Sequence, residues 1–155
     1  MPDELAIWAA GLFDGEGSAL ISVTGPNYNY LSVVVKIATT DQVISDIISR
    51  RWGGRLPAKQ DTSKYGLAKH LVWSLEFSRP EALRFLKDIR PYIKTRMQRV
   101  DIVMEALEAC KVLDDKNDNS ASPRMKVTGI TIVLNPFYDR LKPYSSDLKK
   151  GKHIF

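Results

Sequence analysis

The sequence predicts an α+β fold in which a helix and a β-hairpin alternate twice, in the order αββαββα, with further helix after the repeat. Three observations predict it. Hydrophobic periodicity switches from helical to two-residue spacing across Asp14-Gly15-Glu16-Gly17. Two pairs of alternating segments, each bounded by turn-forming residues, are separated by a capped helical segment. No second copy of the whole pattern follows, so one core is expected.

The first helix starts after Asp3, an N-cap residue preceded by Pro2, and carries the apolar run Leu5 to Phe13 with Ala9 and Ala10, both suited to helix. It ends in the glycines of Asp14-Gly15-Glu16-Gly17. Ala19, Ile21 and Val23 then share one face of a strand, with Leu20, Ser22 and Thr24 on the other. Gly25-Pro26-Asn27-Tyr28-Asn29 supplies turn chemistry. Alternation resumes from Tyr30 to Thr40, where Leu31, Val33, Val35 and Ile37 oppose Tyr30, Ser32, Val34 and Lys36. Asp41 caps a second helix with Val43, Ile44, Ile47 and Ile48 at core spacing, stopping before Gly53-Gly54. Arg55 to Gln60 and Lys69 to Phe77 read as a second hairpin around the polar loop 61–68, with Leu71, Trp73, Leu75 and Phe77 alternating. Pro80 opens a helix with the stripe Leu83, Phe85 and Leu86. After Pro91, Thr95 to Lys111 continues as helix with Val100, Val103, Met104 and Leu107 inward. Met97, Met104, Trp52 and Trp73 read as core by their apolar periodicity.

Asp114 to Ser122 is charged and rich in Asn, Asp and Ser, and reads as an exposed connector. It divides a core at 1–112 from a C-terminal appendage of the same domain at 113–155. Val127 to Leu134 has strand propensity, but Ser122-Pro123 is a helix start, so the segment admits either reading. Leu148 to Phe155, rich in lysine, reads as a frayed tail.

The chain of 155 residues is long enough to bury a core without cross-links. Cys110 is its one cysteine, which excludes an intramolecular disulfide, and His70 and His153 stand too far apart for zinc-ligand spacing. A reducing, intracellular setting is expected. The N-terminus places acids ahead of a short apolar run, unlike a signal peptide or a membrane span, so no membrane partner is expected. The balance of 23 Lys+Arg against 18 Asp+Glu, net +5, draws polyanions without forcing disorder.

The segment Trp8-Ala9-Ala10-Gly11-Leu12-Phe13-Asp14-Gly15-Glu16-Gly17-Ser18 is the most informative. On a helix Trp8, Gly11 and Gly15 fall on one face, Leu12 lies beside them, and glycines four apart let a second backbone approach closely. Glu16 then projects from the end of such a pair, where it and a partner's copy make a site for a hard divalent cation. The same residues also read as a polar turn joining helix to strand, and spacing alone leaves both open.

Residues 9–17, AAGLFDGEG, resemble the LAGLIDADG motif of the homing endonucleases position for position. LSVVVKIATTD at 31–41 and FLKDIRPYIKTRMQR at 85–99 are similar to segments of the single-motif members, so the resemblance covers roughly residues 3–112. It implies a LAGLIDADG homing endonuclease fold with a curved antiparallel sheet in the DNA major groove, a homodimer closed by the motif helices, and Mg²⁺ or Mn²⁺ as cofactor. It implies that Glu16 is the metal-binding acid, although aspartate is commoner there, and that Gly15 gives a backbone carbonyl. Asp14 is expected to brace the helix pair. Arg96 matches a position often held by lysine; because arginine stays protonated, an electrostatic role on the phosphate is implied, with Lys94 the neighbouring candidate. Thr39 stands where relatives often carry a glutamine that positions water. The dimer interface is expected at Trp8, Gly11, Leu12 and Gly15.

The expected DNA readers on the sheet face opposite the core are Ser22, Thr24, Tyr30, Ser32, Lys36, Arg55, Lys59 and His70, with Asn27, Asn29, Lys64 and Tyr65 in the loops. The implied activity is a staggered double-strand cut in a long pseudo-palindrome. The family also includes intron RNA maturases, and the same scaffold admits a DNA-binding regulator that does not cut; loss of Asp14 and Glu16 would favour those readings, and both acids are present.

Overall fold

The computed structural model describes residues 1–56, 60–61, 71–116 and 123–154. Its elements are α1 (Glu4–Glu16), β1 (Gly17–Thr24), β2 (Tyr30–Thr39), α2 (Gln42–Trp52), β3 (Gln60–Asp61), β4 (Leu71–Glu76), α3 (Arg79–Ile89), α4 (Met97–Lys116) and α5 (Pro123–Ile154). The αββαββα order holds, α4 is the further helix expected after Pro91, and α5 follows it. The strand order is β1-β2-β4-β3. β2 and β4 run antiparallel, with Lys36 opposite Glu76, Ile37 opposite Leu75 and Thr39 opposite Trp73. Gln60 and Asp61 of β3 face Val72 and Leu71. Arg55, expected in the third strand, makes an isolated bridge to Glu76.

The chain packs as two units, one of Met1–Ser18 with Val34–Met97 and one of Ala19–Val33 with Gln98–Phe155. Packing therefore divides the chain inside the first hairpin and at the start of α4.

In the first unit Phe85, fully buried, is surrounded by aromatic rings: Phe77 stacks on it at 4.6 Å, while Trp52 and Phe13 meet it edge-on at 5.1 and 5.9 Å. Each such pair adds about 0.5–1.5 kcal/mol to the burial itself. Trp52 also donates its indole N–H to Asp88 at 2.9 Å, which satisfies the one polar atom of that side chain. Asp3 caps α1 by accepting from Ala6 N–H at 3.1 Å, and its two carboxylate oxygens both accept from the Arg51 guanidinium at the end of α2. That contact holds the Asp3 carboxyl at about 2, well below its ordinary 3.8.

Helix α2 departs from expectation. Its buried residues are Ser45, Ile48 and Trp52, whereas Val43 is 61% and Ile47 36% exposed. Both stripes have helical spacing; Trp52 and its indole bond to Asp88 turn the 45–48–52 stripe inward. Ser45 Oγ is buried with no hydrogen-bond partner among the described residues. Met97, expected in the core, is 38% exposed, and Trp73 is half-buried.

In the second unit α4 buries Val100, Val103, Ala106, Leu107 and Cys110, and α5 buries Ile130, Leu134 and Leu141. Met104, expected inward, is half-buried. The segment 127–134 is helix, beginning at Pro123, and its β-branched residues do not form a strand. Thr131 shows how it is fixed: its hydroxyl accepts from Leu31 N–H at 3.1 Å and donates back to the Val127 carbonyl at 2.9 Å, so the helix satisfies a backbone donor of β2. The expected frayed tail is also helical, since α5 runs to Ile154. No described helix is long and apolar enough to cross a membrane.

Candidate metal centre and nucleic-acid face

The end of α1 carries four carbonyls that the helix cannot satisfy. Phe13 O is taken by the N–H of Gly17. Asp14 O is taken by Arg96, whose guanidinium donates Nη2–H to it at 3.0 Å and Nη1–H to Gly17 O at 2.7 Å. These cap bonds use neither the Gly15 nor the Glu16 carbonyl. Arg96 reaches this position with φ at 55°, in the left-handed region, at a cost of about 1–3 kcal/mol that the surrounding bonds must offset.

Asp14 completes the junction from the other side. Its carboxylate accepts from Lys94 N–H at 2.9 Å, from Thr95 N–H at 3.2 Å and from the Thr95 hydroxyl at 2.9 Å. Burial pushes the Asp14 carboxyl up, but these hydrogen bonds and the Arg96 charge outweigh it and hold it below the usual carboxylate range. Asp14 thus braces the loop before α4, where the expectation placed it against the helix pair. Glu16 differs: it is exposed, and no hydrogen bond or ion pair holds it among the described residues.

Beside Glu16 lies a cleft of about 300 Å³ lined by Leu12, Glu16, Ala38, Thr39, Thr40, Ile44 and Val72. The cleft brings together Glu16 and Thr39, which the sequence singled out separately. The Thr39 hydroxyl accepts from Asp41 N–H at 3.1 Å, in line with a strand-end role, and retains its own O–H to donate. Among the described residues no three acids, histidines or cysteines converge on one point. One copy of the chain therefore offers a carboxylate and a carbonyl, hard oxygen donors suited to Mg²⁺ but too few to hold it alone.

On α1, Ile7 is 42% and Trp8 40% exposed, Gly11 and Gly15 are exposed, and Leu12 is half-buried. A Cβ at Gly11 or Gly15 would meet no atom within 4 Å. Gly17 is the opposite case: its backbone is extended, yet a Cβ there would run into the Phe13 ring, so glycine is required by space.

Of the expected DNA readers, Ser22, Tyr30 and Ser32 are half-buried on the faces of β1 and β2 opposite Ala19, Ile21 and Leu31, and Thr24, Asn27 and Asn29 are exposed at the hairpin end. In the other unit Lys36 is half-buried and Arg55 exposed. Lys59, Lys64, Tyr65 and His70 lie outside the described residues. The register sets Ser74 and Glu76, which the sequence analysis did not single out, opposite Ala38 and Lys36. Nor was Thr95 singled out, or Ala38 and Val72 in the cleft lining, which meet the motif only by tertiary contact.

No family model matches the sequence, and no curated protein matches it. Solved structures do. The homing endonuclease I-TnaI superposes at 15% identity with a TM-score of 0.52, over 95% of this chain and 99% of that one. The archaeal intron-encoded homing endonuclease I-Vdi141I, solved with DNA, matches at 13% identity and a TM-score of 0.51, over 85% and 95% of the two chains. The LAGLIDADG homing endonuclease I-GzeII, solved with its DNA target, matches at 12% identity and a TM-score of 0.54, over 86% of this chain but 43% of its own. With the motif segment forming α1 and its turn into β1, and the helix–hairpin order repeated after it, the chain has the fold of the LAGLIDADG homing endonucleases.

Proposed function

We propose that the chain is the subunit of a homodimeric, site-specific homing endonuclease that makes a staggered, divalent-metal-dependent double-strand break in a long pseudo-palindromic DNA site. The observation that carries this reading is Glu16, a carboxylate without a partner among the described residues, at the end of a helix whose exposed face is apolar and glycine-bearing. Glycines at 11 and 15 let two α1 helices approach closely, with Trp8 and Leu12 flanking the contact, which sets the two Glu16 carboxylates at the same end of the pair. This chain spans nearly all of I-TnaI and under half of I-GzeII.

Glu16 and the Gly15 carbonyl hold Mg²⁺ or Mn²⁺ in this reading. When bound, the cation supplies a water of lowered pKa and neutralises charge at the leaving 3′ oxygen. Thr39, whose hydroxyl lines the cleft beside Glu16, would supply a hydrogen bond there. Lys94 and Arg96 place positive charge on the adjoining loop. Ser22, Thr24, Asn27, Asn29, Tyr30 and Ser32 of one unit, and Lys36 and Arg55 of the other, contact DNA. A twofold pair of such subunits reads a twofold site.

The test is cleavage of a randomised duplex library with Mg²⁺ by the native chain and by Glu16→Gln, with the cut ends sequenced. Staggered cuts in a long pseudo-palindrome, reduced by about a hundredfold or more in the variant, support the reading. Intact DNA with Mg²⁺ and Mn²⁺ alike refutes it.

A further inference from the structure

Two cations compete for the role of meeting the scissile phosphate, and the hydrogen bonds separate them. The Arg96 guanidinium is committed to Gly17 O at 2.7 Å and Asp14 O at 3.0 Å, the carbonyls on either side of Gly15 and Glu16. Arginine holds two acceptors at once because its donors form a rigid fork. The backbone at Arg96 is left-handed, a conformation that persists only when its surroundings hold it, and here Asp14 grips the two preceding residues through Lys94 N–H and Thr95 N–H and hydroxyl. Lys94 is anchored by its backbone alone; its side chain is exposed and bonded to nothing among the described residues.

We infer that Lys94 supplies the cation at the scissile phosphate, and that Arg96 is a positioning residue that fixes the Gly15–Glu16 segment for metal binding by gripping the carbonyls before and after it. The division follows from bond capacity. Moving Arg96 to a phosphate would release both carbonyls of the α1 cap, whereas Lys94 gives up only solvent when it meets one. The inference rests on the nuclease reading.

The experiment uses the full chain with the duplex selected above. Lys94→Gln and Arg96→Gly are compared with native protein in single-turnover cutting across Mg²⁺ concentrations, in Ca²⁺ binding to the DNA complex by calorimetry, and in Tm. Glycine at 96 accepts the left-handed backbone, so that variant removes the guanidinium without adding strain. Lys94→Gln is expected to lower the saturating rate by about a hundredfold with Ca²⁺ affinity and Tm unchanged. Arg96→Gly is expected to weaken Ca²⁺ binding and raise the Mg²⁺ needed for half-maximal rate while the saturating rate recovers toward native, a split that loss of stability alone does not produce. A Lys94→Gln chain that cuts at the native rate overturns the lysine assignment. An Arg96→Gly chain with native Ca²⁺ affinity and a reduced saturating rate makes Arg96 the phosphate cation and overturns the division. A native chain that cuts no DNA refutes the nuclease reading, and the division falls with it.

Discussion

Replacing Gly17 by alanine places a methyl group inside the Phe13 ring. The ideal Cβ stands 2.6 Å from both Cγ and Cε2 of that ring, with Cδ2 closer still. The backbone at Gly17 has φ −88° and ψ 159°, which alanine adopts without penalty, so the cost is purely steric. Nor has the ring an easy escape: Phe13 is 2% exposed and its edge is held against Phe85. Overpacking of this kind costs about 1–3 kcal/mol, while the lost flexibility of the unfolded chain returns about 0.4–1 kcal/mol, so sterics win by about 1–2 kcal/mol. Urea unfolding followed by tryptophan fluorescence is the assay, and Phe13→Leu is the partner variant. If the clash is the cause, Gly17→Ala costs less in the Phe13→Leu background, with a coupling of about 1 kcal/mol. A Gly17→Ala chain as stable as native, or two changes that simply add, would refute the argument.

Gly11→Ala has no atom to meet and sits within α1, so it should stabilise the isolated subunit by up to about 1 kcal/mol. It should also weaken the proposed dimer by keeping two helices apart; sedimentation that shows unaltered association would count against α1 as the interface. Ser45→Ala removes a buried, unpartnered hydroxyl and should raise stability by about 1 kcal/mol, whereas a loss on denaturant unfolding would mean that the hydroxyl is satisfied after all. The ion pair of Asp3 with Arg51 predicts an acid limb. A carboxyl whose folded value is depressed to about 2 contributes its full stability above its ordinary 3.8 and loses it as pH falls between the two. Asparagine caps a helix as well as aspartate does, so Asp3→Asn should flatten that limb while keeping α1 capped; acid titrations of native and variant that run parallel would exclude the pair as its source.

Much of the fold is legible in local sequence because local physics sets it. Asp3 and Asp41 cap the helices they were expected to cap, and the alternation of Ala19, Ile21, Leu31, Val35 and Ile37 marks the buried face of the first two strands. Glu16 was singled out by the resemblance of residues 9–17 to the LAGLIDADG motif, because spacing alone left a plain polar turn open as well. The partners of that site were not legible in the same way. Thr95, Lys94 and Arg96 meet Asp14 across some 80 residues of chain, and no periodicity encodes such a contact.

By itself, then, the sequence determined the order of helices and strands, the ends of α1 and α2, and the chemistry offered at residue 16. These depend on caps, turns and periodicity within a few residues. Only the tertiary structure decided which of two helical stripes on α2 faces inward, since Val43 and Ile47 have the same spacing as the residues that are buried. It decided that 127–134 is helix, where the Thr131 hydroxyl meets Leu31 N–H and the local strand propensity is overridden. And it decided that the Arg96 side chain holds the end of α1 while the Lys94 side chain does not, because the fold brings the Asp14 and Gly17 carbonyls within reach of the arginine fork.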